Sequence, residues 1–244
     1  MSKLIEVLLS AEAKQAASSE SFVVGVKNAK GDEPAEIVLY DTIGDSWIGT
    51  DARSVTEFLR HNKGSAVNVR INSPGGLAYD GITIHNALVS HDGPVTTEIE
   101  GMAGSAASII AMAGNTVKMW DNANLFIHRA SLIAIGNTDV MEEARDWLAK
   151  LDEAIAGIYK NKTGLPLPKI RSLMKGKVDG TVFSAAEAKK DGWIDEIVKP
   201  GKKAKAVGDA KPVLRQEAMN RYRSIEASRA ERLRTRRDLF GPAE

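Results

Sequence analysis

The chain has 244 residues, 43% of them hydrophobic, and a formal net charge of +1, which is the balance of a globular protein with a full-sized core. It contains no cysteine, so disulfide frameworks and cysteine-based metal sites are excluded, and its four histidines lack the paired spacing of metal ligands. No segment has the length of a transmembrane helix or of a signal-peptide core, and we expect a cytoplasmic protein that needs no cofactor.

Charge divides the chain into regions. Residues 201–244 carry 12 Lys and Arg against 6 Asp and Glu, whereas the preceding 200 residues are net acidic. We predict a flexible arm over residues 1–20, a folded domain over 21–199, and a basic linker with a charged helical tail over 200–244. Because the tail lacks interleaved aromatic residues and any nucleic-acid motif, nucleic acid is not expected as a partner.

Strand and helix patterns alternate through the folded domain. Strands are predicted over 23–26, 36–39 and 67–71, with an amphipathic helix over 51–61. The unit then repeats, with helices over 78–90 and 105–112, strands over 95–99, near 117 and near 125, and a long helix over 138–161. This alternation favours an α/β fold with a largely parallel sheet. At about 1.5 Å per residue the last helix is roughly 35 Å long, which exceeds what one compact sheet buries, so we expect it to need a partner.

A capping box marks a short helix near the end of the domain. Ser184 is followed three residues later by Glu187, and Gly192 is placed to end the helix. This pattern explains the segment without any catalytic role.

The stretch 101–108 (GMAGSAAS) places a serine on a strand-to-helix bend among small residues. Small neighbours let a substrate backbone approach, and a helix start offers unpaired N–H groups. These are requirements of a nucleophilic serine, although these eight residues alone fit a small-residue helix packed on a sheet better.

Two other stretches carry complementary groups. In residues 71–76 (INSPGG) the paired glycines leave N–H groups that can form an oxyanion hole, although Pro-Gly pairs also occur in ordinary turns. Residues 125–128 (LFIH) form a short strand that ends in a histidine, a residue that at such a place is usually only a satisfied polar group.

Taken in order, these stretches resemble the Clp-type serine proteases, and among them most closely the phage head maturation proteases. The resemblance covers about residues 37–198 and includes 183–188 (FSAAEA) and 192–195 (GWID). It implies a ClpP-like and crotonase-like spiral of ββα units whose long handle helix pairs stacked rings. It also implies Ser105 as nucleophile, His128 as general base, and the N–H groups of Gly75, Gly76 and Ala106 as oxyanion donors.

One position departs from the family pattern. The place where the family usually has its third catalytic residue, an aspartate, holds Gly180, and Asp179 lies one residue earlier. Glycine next to it gives the backbone freedom to adjust, so Asp179 is our candidate for the orienting carboxylate. The alternative is a turn residue before a helix cap, in which case the site is a dyad or uses another group.

The resemblance implies a serine endopeptidase that uses no ATP itself, since the chain has no Gly-x-x-x-x-Gly-Lys-Ser/Thr loop. The expected partners are a polypeptide substrate, further copies of the chain in rings and, for a phage enzyme in its host's cytoplasm, capsid or scaffold proteins. Three alternatives remain at this point: a ring-forming scaffold with a degenerate site, a signal-peptide-peptidase-like enzyme whose version of this segment resembles residues 179–183, and a crotonase-like enzyme.

Overall fold

The computed structural model describes residues 26–27, 33–44, 50–177 and 179–200. The predicted arm over 1–20 and the tail beyond residue 200 lie outside them. The described residues up to Lys199 belong to one compact unit. Within that unit no helix of the described residues is both long and apolar enough to cross a membrane.

The described residues form eight strands and six helices. The strands are β1 (Val26–Lys27), β2 (Ala35–Leu39), β3 (Val67–Ser73), β4 (Val95–Gly104), β5 (Thr116–Trp120), β6 (Asn124–Ile127), β7 (Thr181–Ser184) and β8 (Glu196–Val198). The helices are α1 (Ala52–His61), α2 (Ala78–Val89), α3 (Ala106–Ala111), α4 (Thr138–Thr163), α5 (Leu167–Lys175) and α6 (Ala185–Lys190).

The strands form one sheet in the order β1-β2-β3-β4-β5-β8. All pairs on this path are parallel except β1 with β2. Strand β4 is ten residues long and has two partners on one side: its first half pairs with β5 and its last three residues with β6. Strand β6 then pairs antiparallel with β7. The sheet therefore forks at β4, and the fork brings β6 to the carboxyl end of that strand.

The core lies on the helix-covered face of the sheet. Alternate residues of β2, β3 and β4, such as Ile37, Val69 and Ile99, are buried there, as period-two alternation requires. All six residues of α3 are buried, and the small side chains of that helix allow it to lie directly against the sheet. The opposite face is polar and half-buried, and Arg70 on it bridges Glu36 at 2.9 Å and Glu100 at 2.8 Å.

Helix α4 is buried only toward its carboxyl end. Its buried residues are Leu151, Ile155, Ala156 and Tyr159. Nearer its start, Met141 and Trp147 remain 41% and 45% exposed. The helix begins at the Asn137 cap, whose side chain accepts the Val140 N–H, and it ends at Gly164 in the left-handed conformation.

The predicted α/β fold class is confirmed, and the long helix is two residues longer than predicted. The Ser184–Glu187 capping box is present. Helix α5 and strands β7 and β8 were not predicted. Strand β7 is four residues long with one buried side chain, and β8 has three residues with none, so neither shows a periodic pattern.

Candidate active site

Ser105 lies where β4 ends and α3 begins, and its backbone is strained. Its φ is 50° and its ψ is −122°, and no other non-glycine residue among those described has a positive φ. Such conformations cost about 1–3 kcal/mol and persist only where the surroundings hold them. Here the surroundings are the small buried side chains of Ala103, Ala106 and Ala107. The local fold therefore presents the serine hydroxyl at a sharp strand-to-helix bend.

His128 reaches Ser105 because β6 pairs with the end of β4. Gly104 is the register partner of Phe126, and the Ser105 N–H donates to the Phe126 carbonyl at 3.0 Å. The imidazole Nε2 is 2.7 Å from Ser105 Oγ, and the ring stacks on Phe126 with a centroid distance of 5.1 Å. The hydroxyl donates to Nε2 when the neutral imidazole carries its proton on Nδ1. The pairing of two strands thus creates a hydrogen bond between a serine hydroxyl and an imidazole, which is the arrangement that a nucleophile and its base require.

Gly180 is the register neighbour of His128, because Ile127 pairs with Thr181 across β6 and β7. Its φ is +91°, and a Cβ added to it would clash with the Ile127 carbonyl oxygen and lie 2.6 Å from His128 Cβ. The local backbone therefore has no room for a side chain at this position. An aspartate cannot occupy it without displacing the strand that carries the histidine.

Asp179 lies beside the histidine without a hydrogen bond to it. Its Oδ1 is 3.8 Å from His128 Nδ1, and its side chain is 77% exposed. His128 Nδ1 itself is buried and has no hydrogen-bond partner among the described residues. The structure therefore brings the predicted carboxylate near the base but leaves it mostly in water.

The three predicted oxyanion donors differ in their hydrogen bonding. The Gly75 N–H donates to Ser73 Oγ at 3.1 Å, and that hydroxyl in turn donates to the Asp41 carbonyl at 2.6 Å. No hydrogen bond within the described part of the chain uses the N–H of Gly76 or of Ala106. Gly75 is nevertheless packed against Ser105, since a Cβ added to it would lie 2.6 Å from Ser105 Cβ. Of the three predicted donors, Gly76 and Ala106 therefore keep free N–H groups, and Ala106 directly follows Ser105.

Asp152 on α4 is a residue near the site that the sequence did not reveal. Its Oδ1 accepts the Ala130 N–H at 2.7 Å, two residues after the histidine. The pKa of Asp152 lies above its ordinary value, because burial raises it by more than the Ala130 N–H and the charge of Arg129 lower it. One feature of the sequence could have indicated it: Asp152 precedes the apolar position Ala156 by four residues, which places it on the buried face of the helix. This carboxylate helps to fix the segment that follows His128.

Nothing in the described ranges suggests a metal centre, since no group of three or more His, Asp or Glu side chains there could hold an ion. The candidate site combines a serine hydroxyl, an imidazole and two backbone N–H groups that are free among the described residues. That set is sufficient for acyl transfer without a cofactor.

The chain is similar to known proteins in sequence and in fold. The model of the Clp protease family matches residues 33–201. The chain is 32% identical over 139 residues to the ATP-dependent Clp protease proteolytic subunit of Deinococcus radiodurans, covering 56% of this chain and 67% of that protein. A solved structure of a ClpP1 mutant from Listeria monocytogenes is similar in fold, with a TM-score of 0.58 at 22% identity, covering 68% of this chain and 91% of that one.

Proposed function

The chain belongs to the Clp protease family, and on that premise we propose that it is a serine endopeptidase that cleaves peptide bonds through an acyl-enzyme on Ser105. The single observation that carries the proposal is the 2.7 Å contact between Ser105 Oγ and His128 Nε2 at a strained bend. That contact and the family membership favour it over a signal-peptide-peptidase-like or a crotonase-like enzyme.

In the proposed reaction, His128 Nε2 takes the hydroxyl proton while Ser105 Oγ attacks the peptide carbonyl carbon. The carbonyl oxygen becomes an oxyanion and accepts hydrogen bonds from the Gly76 and Ala106 N–H groups. When the C–N bond breaks, His128 gives the proton to the departing amine, leaving the acyl group on Ser105. Water, deprotonated by the same imidazole, then attacks the ester carbonyl carbon; the C–O bond to Ser105 breaks, and the imidazolium returns the proton to Ser105 Oγ as the acid product leaves.

A fluorophosphonate tests this proposal directly, because it forms a stable adduct with an activated serine. We expect one adduct in the intact mass of the full chain, and a tryptic digest should locate it on Ser105. Ser105→Ala should not react, while Ser108→Ala, which keeps the attacking hydroxyl, should still react. An adduct that persists in Ser105→Ala, or a wild-type chain that never reacts, would contradict the proposed nucleophile.

Asp179 enters the proposal as an orienting carboxylate of small effect. An exposed ion pair is worth roughly 0–1 kcal/mol, so we expect Asp179→Asn to lower kcat/KM by no more than about fivefold. Asp92→Asn, at an exposed carboxylate that pairs with Lys63 at 3.4 Å, is a matched control and should have no effect. A loss of about 10³-fold in Asp179→Asn would mean instead that this carboxylate closes on Nδ1 when substrate binds.

We also propose that the chain assembles into stacked rings through α4. The support is the exposed apolar surface near the start of that helix, where Trp147 stacks on Tyr79 at a centroid distance of 5.7 Å. Residues of this kind are typical of protein interfaces. The proposed substrates are polypeptides. A role in phage capsid maturation, with capsid or scaffold proteins as substrates in a host cytoplasm, is supported by the motif resemblance alone.

A ring-forming scaffold with a degenerate site is the second candidate. The observation that favours it is His128 Nδ1, which is buried without a partner while Asp179 stays exposed. One measurement distinguishes the two candidates. A scaffold would assemble into rings, detected by light scattering, yet its Ser105 would not react with the fluorophosphonate.

A further inference from the structure

Ser105 and Ala106 share one peptide unit, and this fact links two parts of the proposed site. The Ser105 carbonyl and the Ala106 N–H lie in the same plane and, because the bond is trans, they point in opposite directions. No cis peptide bond occurs among the described residues. Whatever holds the Ser105 carbonyl in place therefore also fixes the direction of the Ala106 N–H.

Ser108 holds that carbonyl with two hydrogen bonds. Its N–H donates to the Ser105 oxygen at 3.0 Å, and its hydroxyl donates to the same oxygen at 2.6 Å. The Ser108 hydroxyl is also 2.7 Å from the phenol oxygen of Tyr159. Since the hydroxyl proton of Ser108 is used on the carbonyl, the Tyr159 O–H must donate to Ser108 Oγ. The result is a directed chain from the phenol, through the hydroxyl, to the peptide.

This series of hydrogen bonds is buried away from water. Ser108 is 0% and Tyr159 1% exposed, and the Tyr159 ring packs edge-on against Trp193 at a centroid distance of 5.3 Å. Burial raises the pKa of Tyr159 well above its ordinary value, so its phenol remains a neutral donor at physiological pH. Hydrogen bonds in such surroundings are stronger than in water, and successive bonds polarise one another.

We propose that Ser108 and Tyr159 are positioning residues that hold the Ser105–Ala106 peptide so that the Ala106 N–H points at the oxyanion. This inference deepens the proposed function and rests on it. The backbone at Ser105 is strained, with a φ of 50°, and rotation of the Ser105–Ala106 peptide unit would relieve that strain. The two hydrogen bonds from Ser108 to the Ser105 carbonyl oppose this rotation. Tyr159 acts through Ser108, and it does so from α4, the helix that we expect to mediate assembly.

The test is a double-mutant cycle on the full chain, measured by steady-state hydrolysis of a fluorogenic peptide amide. We expect Ser108→Ala to lower kcat by about 10- to 100-fold with KM changed less than about twofold, because the oxyanion donor acts mainly in the transition state. Tyr159→Phe should lower kcat by about 3- to 10-fold. In the Ser108→Ala background the same Tyr159→Phe change should have no further effect. Ser108→Thr, which retains the hydroxyl, should recover most of the loss.

Inhibition by a peptide aldehyde provides a second readout that a purely structural role would not move. The aldehyde forms a tetrahedral adduct with an oxyanion, so its inhibition constant should weaken in proportion to the loss of kcat/KM across the variants. Thr97→Val is the matched control. It removes a buried hydroxyl that donates to the Ala111 carbonyl at 2.8 Å, at the far end of the same helix α3. This control should leave kcat within about twofold of wild type.

Three results would overturn the inference: wild-type kcat in Ser108→Ala, an undiminished Tyr159→Phe effect in the Ser108→Ala background, or an equal loss in Thr97→Val. Tyr159→Phe removes a single oxygen atom. Its effect on kcat therefore still tests the inference if thermal unfolding shows that Ser108→Ala is unstable. A wild-type chain without Ser105-dependent turnover is a different result. It would contradict the proposed function, whereas an active wild type with equally active variants would contradict this inference alone.

Discussion

His128→Ala is expected to lower kcat/KM for a peptide amide by about 10⁴-fold or more, because the serine loses the base that activates it and the acid that protonates the leaving amine. The size of the effect follows from the geometry. Nε2 lies 2.7 Å from Ser105 Oγ, and the ring is fixed by stacking on Phe126 and is only 16% exposed. Among the described residues we see no second histidine at this bend to replace it.

Steady-state kinetics of wild type, His128→Ala and the double variant with Ser105→Ala measure this expectation. Residues that act as one unit are not additive, so the double variant should be about as slow as either single one. His61→Ala is a suitable control, since His61 is exposed at the end of α1, where its Nδ1 lies 2.8 Å from the Glu57 carbonyl oxygen. A loss below about tenfold in His128→Ala would remove this residue from the role of general base.

How much of this site the sequence could predict depends on the kind of information each residue carries. Ser105 and His128 were identified because each ends or follows a strand with a clear apolar pattern, and the family resemblance supplied their pairing. The sequence could not show why they meet. That depends on β6 pairing with the last residues of β4 while β5 pairs with the first, a register that no local pattern encodes.

The glycines near the site illustrate the same limit. Gly180 was read from the sequence as a residue that gives Asp179 freedom to adjust. In the structure glycine is required there because an added Cβ would collide with the Ile127 carbonyl oxygen and with His128 Cβ. Gly75 was grouped with Gly76 as an oxyanion donor, yet its N–H is used by Ser73 Oγ. The first difference comes from a contact between strands that are distant in sequence, and the second from a hydrogen bond within one turn, across two residues.

Ser108 and Tyr159 could not have been paired from the sequence, because 51 residues separate them. Ser108 reads as one more small residue of α3, and Tyr159 as one more apolar position of α4. Only the docking of one helix on the other shows that their polar atoms meet. Buried polar pairs of this kind have no periodic signature, so a residue that shapes the site can look like ordinary core.

Gly75→Ala is expected to lower kcat by at least about 10²- to 10³-fold, the range found when one oxyanion donor is lost. A Cβ at this position would lie 2.5 Å from the Gly104 carbonyl oxygen, 2.6 Å from Ser105 Cβ and 2.9 Å from the Ala106 nitrogen. The methyl group therefore pushes on the nucleophile and on an oxyanion donor at once. The backbone φ of +102° adds a further cost for any residue with a side chain.

Gly64→Ala separates the two contributions. Gly64 has a φ of +77°, but a Cβ there would meet nothing within 4 Å, so the variant keeps the backbone strain without the collision. We expect it to lose about 1 kcal/mol of stability, as a Cβ in the left-handed region does, and to retain wild-type kcat. Both variants should be assayed below their unfolding temperatures, with circular dichroism confirming the fold. If Gly75→Ala retained wild-type kcat, the packing of residue 75 against Ser105 would not be part of the catalytic arrangement.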